Sequence, residues 1–171
     1  MIETPQQYTN RILSFSDGRD AWTVLRSSPG RARELVRGLT PTQISQPSAP
    51  GRWSILQIVT HLADCEVVAA WRLRAILAED GVTLQPFDQN AWASTFRYEK
   101  ADLSASLDLF DILRRANLRL LESVDPALYG NAGMHQERGR ETVEHLIRLY
   151  AGHDLNHLTQ IERLASGSPH A

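Results

Sequence analysis

His153 and His157 stand four residues apart in the stretch Gly152-His153-Asp154-Leu155-Asn156-His157-Leu158-Thr159-Gln160. Apolar residues flank them at helical spacing (Leu146, Leu149, Ile161, Leu164), which predicts one amphipathic helix. On a helix, positions four apart lie about 40° from each other around the axis and one turn apart along it. Both imidazoles therefore point the same way and can serve one metal ion. Two ligands rarely hold a metal, so a third is needed, and the best candidate is His61, in Trp53-Ser54-Ile55-Leu56-Gln57-Ile58-Val59-Thr60-His61-Leu62-Ala63-Asp64. The expected arrangement is a three-histidine site, His61, His153 and His157, between two packed helices. Neutral imidazole suits zinc, nickel, iron or copper, and three protein nitrogens leave a coordination position for water or substrate. Such an ion lowers the pKa of bound water towards ~7, or binds a thiol as thiolate ready to attack an electrophile.

Other side chains near these positions have two readings each. Cys65 follows His61 by four residues and is either a fourth ligand or a small buried hydrophobe, the usual state of a free cysteine. Glu66 is a proton acceptor or, the reading preferred here, an ion-pair partner of Arg72 or Arg74 on its own helix. Asp64 is open in the same way. Gln160, Glu144 and Asp154 are candidates to accept the remaining N–H of a ligand histidine, and a plain surface role serves each equally well. His145 lies about 80° around the helix from His153 and is not expected to be a ligand. His135 falls in a glycine-rich loop, where an exposed histidine is the default. Arg52, Arg72 and Arg138 are of the right type to recognise carboxylates, and spacing favours none of them. Trp92, Phe96 and Tyr98 either wall the site or cover the end of the core.

The elements that must position these residues read as helices. Thr4-Pro5-Gln6-Gln7 starts a short one, which stops before Gly18. Asp20 to Arg26 forms a second short segment, and Ser28-Pro29 starts another helix carrying Leu35, Val36 and Leu39 inward. Residues 40–52, with three prolines, form a loop with at most one helical turn. Ser54 caps a long helix to about Asp80, closed by Gly81. Residues 82–101 are a long aromatic connection packed over something. Asp102 caps a third long helix, ended by Asp125-Pro126. Residues 126–140 form a second loop, the final helix runs from about Glu141 to Leu164, and Gly167 to Ala171 reads as a frayed tail. No strand alternation persists. The predicted fold class is all-α: one domain over 1–171, a bundle of four main helices with an additional short N-terminal helix.

At 171 residues the chain can bury a sizeable core without staples, and 42% hydrophobic with 22% charged residues is ordinary for a soluble globular protein. A net charge of −2 offers no general attraction to nucleic acid or an anionic membrane. No window is apolar enough to span a bilayer, and the N-terminus lacks a basic region followed by an apolar run. One cysteine excludes an intrachain disulfide. A cytoplasmic location is expected. His-Glu-x-x-His, Gly-x-Ser-x-Gly and the phosphate-binding glycine-lysine loop do not occur.

Trp53-Ser54 leading into His61-Leu62-Ala63-Asp64-Cys65-Glu66, Phe87-Asp88, and Gly152 through Ile161 give the chain a layout that resembles the DinB-like superfamily. Within it the likeness is to the metal-binding bundles that include the YfiT-like thiol transferases, and it extends from about Arg11 to Leu164. The resemblance implies up-down-down-up connectivity, a divalent ion (zinc or nickel) on three histidines with an open position, and frequent dimerisation. It favours Cys65 as a buried hydrophobe over a fourth ligand. It also implies a range of chemistries, from low-molecular-weight-thiol S-transfer to thiol-dependent isomerisation, with metal-assisted hydrolysis as a close variant. The expected partners are a small-molecule substrate, a thiol cosubstrate and a second copy of the chain. The competing expectation is a non-catalytic metal-binding or stress-induced bundle that works by interaction.

Overall fold

The computed structural model describes residues 3–167, so the expected tail at 167–171 lies, apart from Gly167, outside the described residues. Besides short 3-10 helices at Tyr98–Lys100 and Pro126–Gly130, ten elements follow in order: α1 (Pro5–Ser14), α2 (Ala21–Val36), α3 (Pro41–Ser45), α4 (Ile55–Ala78), β1 (Thr83–Leu84), α5 (Gln89–Thr95), α6 (Leu103–Ser123), β2 (Ala132–His135), β3 (Gly139–Thr142) and α7 (Val143–Ala165). Local chemistry sets most boundaries. Thr4 with Gln7, Thr40 with Gln43 and Ser54 with Gln57 each form a reciprocal capping box, and Asp20, Asp102 and Thr142 cap α2, α6 and α7.

Helices α2, α4, α6 and α7 form the bundle. On α4 and α6 the Thr60 hydroxyl meets that of Ser106, and Arg74 meets Asn117, so these two run in the same direction. Arg26 with Glu122 and Arg33 with Asp108 make α2 antiparallel to α6. Ser28 beside Asp154 and Arg31 beside Glu162 make α2 parallel to α7. The connectivity is up-down-down-up.

Two expectations need correction. Pro29 does not begin a helix; α2 is continuous through it. A proline inside a helix removes the N–H that would satisfy the carbonyl four residues earlier. Here that carbonyl belongs to Leu25, and it accepts from Arg114 Nη1 at 2.9 Å, so the orphaned group is satisfied from α6. The loops around 83 and 132–142 are not wholly irregular: β1 pairs parallel with β2 (Thr83 opposite Met134), and β2 pairs antiparallel with β3 (His135 opposite Gly139). The strands are too short for a period-two pattern to register.

The apolar core has two halves. One gathers Leu73, Ile76, Leu118, Leu121 and Leu146; the other gathers Ile55, Ile58, Leu62, Phe110 and Ile161. Between them a polar layer crosses the bundle, built from Ser28, His61, Glu66, Arg114, Asn117, His153 and Asp154, all buried. The site sits in this layer.

Helix α1 lies across α7 at Gly152. A Cβ there would stand 2.1 Å from the Ile12 carbonyl oxygen, a backbone atom that no side-chain rotation can move. Gly152→Ala is therefore expected to lose about 1–3 kcal/mol by overpacking, net of the ~1 kcal/mol that alanine gains in helix propensity. Urea denaturation checks this; an unchanged or raised midpoint would show that α1 does not dock this closely.

Candidate metal centre

Ser54 starts α4 about two turns before His61, and Trp53, just outside the cap, lays its ring 4.8 Å (centroid to centroid) from the His61 ring. His61 is 1% exposed, among the apolar positions of α4. His153 and His157 face it from consecutive turns of α7, each 8% exposed. His153 Nε2 is 3.2 Å from His61 Nε2 and 3.1 Å from His157 Nε2. The structure thus brings together all three histidines singled out by spacing, through the same ring nitrogen.

Proton accounting tests whether this cluster suits a cation. Gln160 Oε1, an acceptor, lies 3.0 Å from His157 Nδ1, so that nitrogen carries the proton and Nε2 presents a lone pair. Burial pushes His61 and His153 well below the ordinary imidazole range, reinforced by the neighbouring rings; burial also takes His157 down to about 4. All three are neutral at pH 7. Three neutral rings meeting through Nε2 have too few protons to turn both N···N contacts into good hydrogen bonds. His153 Nδ1, the other nitrogen of the middle ring, is buried with no partner whether or not an ion sits on the Nε2 atoms. Nitrogens bound tetrahedrally to one zinc at 2.0–2.1 Å stand about 3.3 Å apart, close to the spacing found. The donor set fits a divalent ion and poorly fits a purely hydrogen-bonded core.

Cys65 turns towards the same point. Its Sγ is 3.4 Å from His61 Nε2, and with His61 and His153 it forms a group whose ligand atoms lie within 4.8 Å of one another. Burial raises its thiol pKa well above the usual value, with Glu66 and Asp154 adding to the effect. It is a buried residue and a ligand-distance neighbour at once.

The remaining candidates separate clearly. Glu66 is ion-paired as expected, but with Arg114 on α6 (2.8 Å) and not with Arg72 or Arg74, and it also accepts a hydrogen bond from the Asn117 amide (3.0 Å). Asp154 joins the same guanidinium through both oxygens, at 2.6 and 3.1 Å, and so holds α7 rather than a ligand histidine. Asp64 accepts from the Tyr98 hydroxyl. Gln160 does orient a histidine; Glu144 is exposed. His135 is not an exposed loop residue: it is 2% exposed in β2, its Nδ1 facing the Glu137 and Arg138 backbone N–H groups. Phe87, Trp92 and Phe96 make a row of tilted and edge-on ring contacts, with Phe96 exposed. Arg114, with Asn117, was the residue that spacing should have flagged: it falls on the inward stripe Leu107, Phe110, Leu118, Leu121.

Two clefts reach the cluster. One, of about 340 Å³, has His61, Cys65 and His153 at its floor and Tyr8, Phe87 and Arg138 among its walls. The other, of about 410 Å³, reaches His157 and Gln160 past Trp53 and Arg163. Gln89, at the start of α5, borders both.

The depressed histidines predict an acid sensitivity. Unfolded histidine takes up a proton near 6.5, whereas folded His157 resists until about 4, so stability is full above pH 6.5 and falls as pH drops towards 4. For His157 alone the loss is on the order of 3 kcal/mol. Melting curves of metal-free protein at pH 7.5, 6 and 5 check this; a flat profile would contradict buried neutral rings.

The sequence profile of the DinB superfamily matches residues 25–161. A Geobacillus kaustophilus protein, GK0616, is 33% identical over 164 residues, covering 95% of this chain and 89% of its own. Bacillus subtilis YfiT is 27% identical over 161 residues, covering 93% and 90%. Both carry the provisional name of metal-dependent hydrolase. The solved structure of YfiT, described as a probable metal-dependent hydrolase with an unusual four-helix bundle topology, superposes with a TM-score of 0.80 at 25% identity, over 96% of this chain and 89% of that one. Among the described residues no helix is long and apolar enough to cross a membrane.

Proposed function

The chain belongs to the DinB superfamily, and from that premise we propose that it is a metal-dependent enzyme activating a small nucleophile at His61, His153 and His157. The observation that carries this reading is the meeting of three neutral Nε2 atoms, two of the contacts at 3.1 and 3.2 Å, with too few protons among them to hydrogen-bond both contacts. A zinc or nickel ion held there would supply Lewis acidity, making a water or a thiol more acidic at neutral pH. The chain's own part is positioning. Gln160 fixes the His157 tautomer, Trp53 fixes the His61 ring, and burial keeps every imidazole neutral and available.

Two reactions fit such a centre: hydrolysis, as the names of the relatives have it, and transfer of a low-molecular-weight thiol to an electrophile, or thiol-dependent isomerisation. The pair of clefts favours the thiol S-transfer reading, because one opens on His61 and His153 and the other on His157, giving each reactant its own approach to one cluster.

Protein purified without an affinity tag is expected to carry one divalent ion per chain. Cys65→Ala is expected to retain it, since three histidines suffice; loss of metal in that variant would instead make the site a closed one. Incubation with monochlorobimane and each common cellular thiol should show acceleration that needs both metal and thiol. Ester cleavage without thiol would select the hydrolase. Absence of metal would leave a non-catalytic interaction bundle.

A further inference from the structure

Arg72 lies on α4 and lines the first cleft together with His61, Cys65 and His153. It is 4% exposed, yet among the described residues no carboxylate stands within ion-pair distance of it. Its Nη2 donates to the Gln85 carbonyl at 2.7 Å, while its Nε is buried with no partner. The same Nη2 stands 3.3 Å from His135 Nε2, but that contact is not a true hydrogen bond. His135 Nδ1 accepts from the backbone N–H groups of Glu137 and Arg138, so the neutral ring carries its proton on Nε2 and has no lone pair there.

Of the other charges in or near this cleft, Glu137 is exposed and makes no ion pair with Arg72, and the remainder are engaged. Arg138 is bonded by Glu141 through both oxygens, Arg114 by Glu66 and Asp154, Glu3 by Arg11, and Asp88 caps α5. A buried cation whose counter-ion is missing is strongly unfavourable unless an anion arrives from outside. A guanidinium's planar fork matches a carboxylate.

Its position relative to the histidines defines what would fit. Arg72 is eleven residues beyond His61, about 20° around the helix and about 16 Å along it. Long side chains on a helix lean towards its N-terminus, here towards Cys65 and His61, which shortens that gap. We propose that Arg72 receives the carboxylate of the small molecule processed at the histidine centre, so that the first cleft selects anionic substrates. This rests on the functional reading above for the word substrate, though not for the anion site itself.

Calorimetric titration of EDTA-treated protein with 4-mercaptobutanoate and with its neutral amide, 4-mercaptobutanamide, tests the site without turnover. The acid is expected to bind at least tenfold more tightly to the parent protein. In Arg72→Met that ratio should fall to about one, and the ligand-free variant should melt no lower than the parent, because a stranded charge has been removed. Arg72→Lys should keep only part of the preference. Equal binding of acid and amide, no binding by either, or an unchanged ratio in Arg72→Met would each overturn the proposal, as would inorganic phosphate binding where the acid does not. With metal restored, thiol transfer that proceeds with equal KM for acid and amide keeps the functional reading and sinks the Arg72 site. A carboxylate preference without any turnover does the reverse.

Discussion

His153→Ala is expected to lower metal content from one ion per chain to nearly none and to abolish any metal-dependent activity. His153 is the middle member of the cluster: its Nε2 contacts both other ring nitrogens, so its removal leaves His61 and His157 without their common neighbour. The thermal effect should be as clear as the analytical one. An ion that binds only the folded state stabilises it by about 4 kcal/mol at a thousandfold excess over Kd, so adding metal should raise the parent's melting temperature and leave the variant's unmoved. His145→Ala, eight residues earlier on α7, serves as the control and should keep its metal. Elemental analysis with paired melting curves decides the matter. Full metal occupancy in His153→Ala would mean that the ion sits elsewhere, and the enzymatic reading would go with it.

Arg114→Ala should have the largest effect on stability. The guanidinium is 3% exposed and is held by Glu66, Asp154 and the Leu25 carbonyl. Burial works against its charge, while Asp154 and Glu66 more than offset this and hold its pKa above the usual arginine range. Truncation strands two carboxylates in the interior and leaves the carbonyl that Pro29 cannot serve unsatisfied. Breaking a buried ion pair costs about 3–5 kcal/mol, a large part of the 5–15 kcal/mol that holds a typical domain together. The triple change Arg114→Met, Glu66→Gln, Asp154→Asn should recover much of the loss, because no charge is then left without a partner. Urea titrations of the single and triple variants check both statements; a single variant within 1 kcal/mol of the parent would contradict the role of the network.

What the chain declares locally is readable, and what it settles at a distance is not. Thr4 with Gln7, Ser54 with Gln57, and Asp102 fix helix starts by contacts spanning three residues, so the types and spacing alone reveal them. The inward placement of His61, His153 and His157 is likewise written in the apolar stripes around them. Pro29 misleads because its compensation comes from Arg114, 85 positions along the chain, which no local rule anticipates. The strands escape notice because β1 has two residues and β2 contains Gly133 in a run of four. His135 is buried only because that small sheet folds, so missing the strands meant missing the histidine. Arg72 gives no sign of its isolation in sequence, since the lack of a counter-ion belongs to the packed interior and not to any one segment.

Helices α4 and α6 lie side by side and point the same way, which obliges the chain to travel back about 36 Å, the length of the 24 residues in α4, before α6 can begin. An antiparallel neighbour would have needed only a tight reversal. Residues 79–102 are that return journey, and Phe87 and Gln89, which border the clefts, are stations on it. The architecture therefore separates two jobs: rigid rods carry the histidines, while a strip of chain laid over them shapes what can approach. Such a strip can be rewritten without disturbing a single imidazole, so one grip on a metal can be retained while the guest changes.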